Sequence, residues 1–190
     1  MEKELLGGRL MKRKIIKFFF AWDFEKEEKW LNEMSAKGLQ LVSVGFCTYV
    51  FEECESGEYT YKLELLENLP SNYQSTSYIQ FLEETGAEYI GSVFRWVYFR
   101  KKAVNGTFEI YSDIESKIKH YKRIITLFSG VTPICIFPTI MNWSRFSEEP
   151  DPSRLILSSI TTLLAILLVF GIFKISRRIN MLKKEKLIRE

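Results

Sequence analysis

Along most of the chain, apolar and polar residues alternate at strand or helix spacing. Near the C-terminus that alternation stops. Ile124 to Trp143 is 20 residues without a charge, and Leu155 to Phe173 is another 19. At about 1.5 Å rise per residue, each makes a helix of roughly 30 Å, the thickness of a bilayer's hydrocarbon core. The 11 residues between them, Ser144 to Arg154, carry Glu148, Glu149, Pro150, Asp151 and Pro152. The pattern predicts a transmembrane hairpin with a short polar turn. The alternative is a buried hairpin of a soluble fold, where two uninterrupted apolar runs of this length are uncommon.

Upstream, the pattern reads as two β-α-β halves. Lys14 to Trp22 is β-rich. Asp23 is placed to cap a helix whose residues Phe24, Leu31 and Met34 share one face, and Gly38 is placed to stop it. Acids fill its first turns, as the helix dipole prefers. Leu39 to Glu53 reads as one long strand, turned at Glu55-Ser56-Gly57-Glu58 and paired back by Tyr59 to Glu67. In that second run Tyr59, Tyr61, Leu63 and Leu65 alternate with Thr60, Lys62 and Glu64, a period of two. A second helix is predicted near Tyr73 to Thr85, with Tyr78, Ile79, Phe81 and Leu82 on its apolar side and Gly86 closing it. Ala87 to Lys101 follows as the last long strand, and Thr107 to Ser112 as a short extended run.

The order strand, helix, strand, strand, helix, strand is that of an α+β, ferredoxin-like βαββαβ domain. Both helices would cover one face of a four-stranded antiparallel sheet, leaving the other open. Yet both parities of these strands are apolar. Val42, Val44, Phe46 and Val50 oppose Leu39, Leu41, Cys47, Tyr49 and Phe51; Ile90, Phe94, Trp96 and Tyr98 oppose Tyr89, Val93, Val97 and Phe99. A sheet open on one side does not carry two such faces. The second face must be covered by another copy, by the extra strand and linker helix, by a partner protein or by a bound molecule, and the sequence leaves these open. Tyr49, Phe51, Trp96 and Tyr98 are the candidate contacts on it.

Charge then orients the chain. Lys117, Lys119, Lys122 and Arg123 precede the first span, and Lys174, Arg177, Arg178, Lys183, Lys184, Lys186 and Arg189 follow the second. The turn between has only Arg145 and Arg154. Lys and Arg near span ends stay on the cytoplasmic side, so both termini are expected there. Residues 12–103 carry 12 Lys or Arg and 14 Asp or Glu, a net of −2. A base-stacking nucleic-acid surface needs a basic surround, so direct nucleic-acid binding is not expected. The basic tail is read as a topology signal, with anionic lipid headgroups as its natural neighbours. The expected organisation is an extension over 1–13, an α+β domain over 14–112, a juxtamembrane helix over 113–123, spans over 124–143 and 155–173 around a turn over 144–154, and a tail over 174–190. Leu6 to Leu10 can be encoded with a GGAGG run at ribosome-binding-site spacing before Met11, so Met11 is an alternative start.

Candidate chemistry is thin. The single histidine, His120, sits at the membrane edge among lysines and makes neither a triad nor a metal site. Cys47, Cys54 and Cys135 lack ligand spacing and read as free thiols. Glu25, Glu27 and Glu28 read as a solvated helix surface. There is no phosphate loop, nucleotide fingerprint or nucleophile elbow. Neither span holds an ionisable group that could relay protons. Pro133 and Pro138 are placed to kink the first, and Ser158, Ser159, Thr161, Thr162 and Ala165 give the second a small, weakly polar stretch suited to helix packing. No cofactor, metal or catalytic residue is expected.

Several segments together resemble one bacterial family. They are Lys17 to Trp22, Glu27 to Leu39, Tyr49 to Glu52 with Gly57 to Leu63, Phe81 to Tyr89, and Asp113 to Ile118, within roughly residues 14–123. The family is catalogued as domain of unknown function 2812. Leu39 and Ala87 depart from it, standing where the family usually has tryptophan. The resemblance implies Gram-positive bacterial membership, C-terminal membrane spans and no catalytic residues. It also implies genomic proximity to PadR-like transcriptional regulators, hence a regulatory role. The sequence is thus expected to encode a membrane-anchored cytoplasmic module, non-catalytic and regulatory, that recognises a partner protein through its aromatic sheet face. A homo-oligomer and a PadR-like regulator are the candidate partners. The competing expectation is a sensor enclosing a small apolar ligand in the same domain.

Overall fold

A computed structural model of the chain describes residues 12–111, 113–148 and 151–189. The Met11 start and most of the N-terminal extension lie outside the described residues. The chain divides into two compact units, residues 1–110 and 111–190.

The first unit holds β1 (Arg13–Ile16), α1 (Phe24–Ala36), β2 (Leu39–Gly45), β3 (Thr48–Glu53), β4 (Tyr59–Leu65), α2 (Tyr73–Glu84), β5 (Glu88–Val93) and β6 (Trp96–Lys102). The strands form two antiparallel sheets of three, ordered β1-β3-β2 and β4-β6-β5. The halves are the same motif twice: strand, helix, then a hairpin whose second arm inserts beside the first strand. This is a split β-α-β unit with its gap filled.

The correspondence runs residue by residue at a spacing of 48, the step from Gly38 to Gly86. These two glycines end the two helices with φ of 77° and 87°. Bulges fall between Leu41 and Ser43 in one sheet and between Tyr89 and Gly91 in the other. Leu31 and Ile79, Met34 and Leu82, and Phe51 and Phe99 are buried at equivalent places.

The expected single four-stranded, ferredoxin-like sheet is therefore not what the strand pairing gives. Leu39 to Glu53 is not one strand but a hairpin turning at Phe46-Cys47, and Ala87 to Lys101 turns at Phe94-Arg95. Neither turn carries the Asn-Gly or Gly-Gly signature of two-residue hairpins. Instead Cys47 and Phe94 themselves take positive φ, 53° and 54°. β3 and β4, expected to pair, belong to different sheets. Thr107 to Tyr111 is irregular rather than extended, although Phe108 is buried against α2's cluster.

Two cores result. One joins Leu31 and Met34 of α1 to Leu41, Tyr49 and Phe51 of the first sheet and to Tyr59, Tyr61, Leu63 and Tyr98 of the second. The other joins Ile79 and Leu82 of α2 to Val97 and Phe99 on the opposite face of the second sheet. The second sheet is thus apolar on both faces because α1 and α2 lie on opposite sides of it. The cover on the second face comes from within the domain.

The two halves meet at β2. Its Leu41 N–H donates to the Tyr61 hydroxyl at 2.8 Å, and Arg100 Nη1 donates to Gln40 Oε1 at 2.9 Å. Burial pushes the Tyr61 hydroxyl up to about 12, so it stays protonated here.

The second unit is a helical hairpin of α3 (Ile114–Glu148) and α4 (Pro152–Arg189). Asp113 caps α3, accepting from the Ser116 N–H at 2.7 Å. α3 runs unbroken through its apolar stretch, Pro133 and Pro138 included. Both helices are long and apolar enough to cross a membrane, with mean hydropathies of 1.9 and 2.6 in their most apolar windows. His120 is buried, its ring 5.2 Å from that of Tyr111.

Candidate functional site

The four residues expected on an open face lie beneath α1. Tyr49, Phe51 and Tyr98 are buried and Trp96 is half-buried. Trp96 packs on Phe24 of α1 with ring centroids 5.4 Å apart. Between Tyr49 and Tyr98 sits the carboxylate of Glu27, also buried. Both tyrosine hydroxyls donate to its Oε1, each at 2.6 Å.

The expectation of a solvated glutamate cluster fails at Glu27 and Glu28. Burial raises the Glu27 carboxyl above its usual range, opposed by the two tyrosine hydrogen bonds. Burial likewise raises Glu28, opposed by Lys62 and by the Leu63 N–H. Burial and the neighbouring Glu27 push both tyrosine hydroxyls up, which keeps them as donors. One signal in the sequence pointed here: Glu27 lies three and seven residues from Trp30 and Met34, on the apolar side of α1.

α1 does more than cover. β4 is an edge strand, and its outward backbone groups need partners. Glu28 Oε1 accepts from Leu63 N–H at 2.9 Å. Asn32 accepts from Tyr61 N–H at 2.9 Å and donates to Tyr61 O at 3.2 Å. Ser35 Oγ donates to Tyr59 O at 2.6 Å and accepts from Tyr59 N–H at 3.2 Å. Seven helix residues advance about 10 Å and four strand residues about 13 Å, close enough for three side chains of differing reach to keep step.

β1 is the equivalent edge strand of the first half. Among the described residues no helix clasps it. A groove of about 750 Å³ lies there instead. Arg13, Ile15 and Lys17, alternate residues of β1 and its continuation, line one side; Trp30, Met34 and Lys37 of α1 and its C-terminal end line the other. Leu39, Glu53 and Cys54 complete it. The walls thus carry three cations and one carboxylate around an apolar floor. Lys17 Nζ stands 4.5 Å above the Trp30 ring. Trp30 in turn packs edge-on against Tyr49 and Phe51, at 4.8 and 5.7 Å. Two of the four expected contact residues therefore support the groove from below and do not line it. Trp30, Lys17 and Lys37 were missed because the groove exists only once α1 is offset toward β4.

Among the described residues no three His, Cys, Asp or Glu side chains gather where they could hold a metal ion. No curated protein and no solved structure gives a significant match to the chain. A family model described as a protein of unknown function, DUF2812, matches residues 23–132. That span begins just before α1, takes in every strand except β1 and ends inside α3, more than half of the chain; the chain belongs to the DUF2812 family.

Proposed function

We propose that this chain is a membrane-anchored, non-catalytic binding module with both ends on the cytoplasmic side, and that it regulates a partner protein by holding it at the membrane. The partner lays an extended, acidic segment along β1. The observation that carries this reading is the contrast between two equivalent strands. β4's edge is filled by Glu28, Asn32 and Ser35, while β1's edge has no such clasp among the described residues and its α1-side face borders a cationic groove. Strand addition to a sheet edge takes its affinity from main-chain hydrogen bonds and its specificity from flanking pockets. Arg13, Lys17 and Lys37 favour carboxylates beside that strand, and Trp30 with Met34 offers an apolar seat. An open, charged groove suits a peptide better than a small apolar molecule. A PadR-like regulator is the partner that the family resemblance raises.

The test uses the tagged full chain in its native membranes, with a photocrosslinking residue at exposed position 37. One protein adduct is expected, and it should disappear in an Arg13→Glu variant, carrying the same crosslinker, that still folds and inserts. An adduct that survives charge reversal would place recognition elsewhere. An adduct only to the chain itself would make the groove a self-association surface.

A further inference from the structure

The two hairpin turns end in equivalent phenylalanines. Phe46 and Phe94 are 72% and 76% exposed, yet they touch, with ring centroids 6.4 Å apart. A second aromatic run lies alongside. The Lys17 N–H donates to Cys47 O at 3.1 Å, which ties the strand leaving β1 to the Phe46 turn. Next to that bond, Ile16 and Phe18 are 77% and 58% exposed. Phe18 meets Phe20 at 4.8 Å, and Phe20 stacks on Trp22 at 4.4 Å. One end of the domain therefore presents two exposed aromatic clusters on segments that this backbone bond ties together. Fold stability does not require rings so exposed, and large exposed apolar patches mark interaction surfaces.

Charge identifies the occupant. Residues 12–22 hold Lys12, Arg13, Lys14 and Lys17 and no acid; residues 45–48 hold no charge; residues 93–96 hold only Arg95. The three segments contain five cations and no carboxylate, inside a region whose overall balance is −2. Arg95 is turned onto the Leu66 carbonyl and Lys12 pairs with Glu52, so the cations left for an anionic surface are Arg13, Lys14 and Lys17, with Lys17 the nearest to the tip. Exposed aromatic rings framed by Lys and Arg are the signature of a surface that lies in a membrane interface, with rings at headgroup level and cations on anionic lipid. The same chain carries two helices able to cross a bilayer. Covalent attachment to a spanning helix would hold the domain near lipid at high effective concentration, so shallow insertion of a few rings suffices.

We infer that this aromatic end, with Phe46 and Phe94 at its tip and Phe18 and Phe20 beside it, docks onto the anionic surface of the lipid bilayer. The inference rests on the membrane reading of α3 and α4. It gives the domain a fixed face toward lipid, which a simple tether does not.

The experiment uses the full chain with Cys47, Cys54 and Cys135 replaced by serine. A nitroxide is attached at Phe94→Cys, separately at Phe46→Cys, and at Glu84→Cys on α2 as a reference. Each protein is reconstituted into vesicles of equal parts phosphatidylcholine and phosphatidylglycerol, and resistance to alkaline extraction is checked first. Collision with oxygen should rise, and collision with a water-soluble nickel chelate should fall, at positions 46 and 94 relative to position 84. The shift should weaken in pure phosphatidylcholine. Tips as open to nickel as position 84, in a chain that resists extraction, would overturn the inference. So would tips shielded from both reagents with spin–spin broadening, which would mean a second copy covers them. Extraction by alkali would remove the membrane reading itself and this inference with it.

Discussion

The Asn32 side chain satisfies both backbone groups of Tyr61, accepting from its N–H at 2.9 Å and donating to its carbonyl at 3.2 Å. A carboxamide has the same donor and acceptor pair as a peptide unit. Asn32 therefore stands where the next strand of the second sheet would run, and α1 closes that sheet's outer edge. Glu28 and Ser35 extend the closure to Leu63 and Tyr59.

Replacing Asn32 by alanine should cost about 1–3 kcal/mol, the penalty for leaving buried backbone groups without partners. Asn32→Asp keeps the acceptor, loses the donor and adds charge, so it should not rescue the loss fully. The denaturant midpoint of the first unit within the full chain reports the overall loss. Amide exchange at Tyr61 reports the location, and should accelerate in both variants more than exchange in β3.

Gly38 and Gly86 end equivalent helices with the same left-handed backbone, yet they should not tolerate alanine equally. A Cβ at Gly38 would meet the Cys54 carbonyl oxygen at 3.0 Å, and Cys54 is held there because its N–H donates to Gly38 O. A Cβ at Gly86 would find only the flexible end of Lys101 at 3.9 Å. Gly86→Ala should cost about 1 kcal/mol for the backbone conformation alone. Gly38→Ala should cost measurably more. Equal shifts in thermal midpoint would show that the Cys54 strand end yields freely.

Much of this architecture is legible in the residues. Phe24, Leu31 and Met34 mark the buried face of α1, the glycines mark both helix ends, and the uncharged runs mark α3 and α4. What misled was local chemistry that contradicts its usual sequence sign. The turns at Phe46-Cys47 and Phe94-Arg95 put positive φ on residues that rarely take it, so two hairpins read as two long strands and two sheets as one. Tyr49, Phe51, Trp96 and Tyr98 are evident as an aromatic face, but alternation cannot say which element covers a face. Glu27 reads as solvent-facing because a carboxylate counts as polar whatever donates to it. The clasp of Asn32 on Tyr61, and the groove beside β1, depend on the offset of a helix across a sheet edge, which no single-strand pattern encodes.

Within the helical hairpin, Trp143 Nε1 donates to Thr162 Oγ1 at 2.9 Å, joining α3 to α4. Thr162→Val keeps the shape and removes the acceptor. Interhelical hydrogen bonds in membranes are worth about 0.6 kcal/mol on average. The variant should therefore stay folded, with a small rise in the rate at which cysteines placed on the two helices lose cross-linking in mild denaturing detergent. Separation of the helices would mean that this one contact matters far more than its class.

Glu27 offers the sharpest test of how the core is held. Its carboxyl is raised above the usual glutamate range in the folded protein, chiefly by burial. A carboxyl that is harder to ionise when folded binds a proton in the native state at pH values where the unfolded chain has already lost it. Its contribution to stability is therefore greatest at acid pH. It declines as pH climbs from the unfolded value through the raised folded one, and stays low above it. Glutamine removes that loss, because it is not ionised, and its carbonyl oxygen can still accept from both Tyr49 and Tyr98. Glu27→Gln should match or exceed the wild type at neutral pH and flatten the stability profile on the acid side. Glu27→Leu also removes the charge but strands two buried hydroxyls, at about 1–3 kcal/mol each. It should be destabilised at every pH. Urea titrations of the three proteins across the acid-to-neutral range separate these outcomes. If glutamine proved as damaging as leucine at neutral pH, the ionised carboxylate with its two short tyrosine bonds would be a net support of the fold, and those bonds would outweigh the cost of burying its charge.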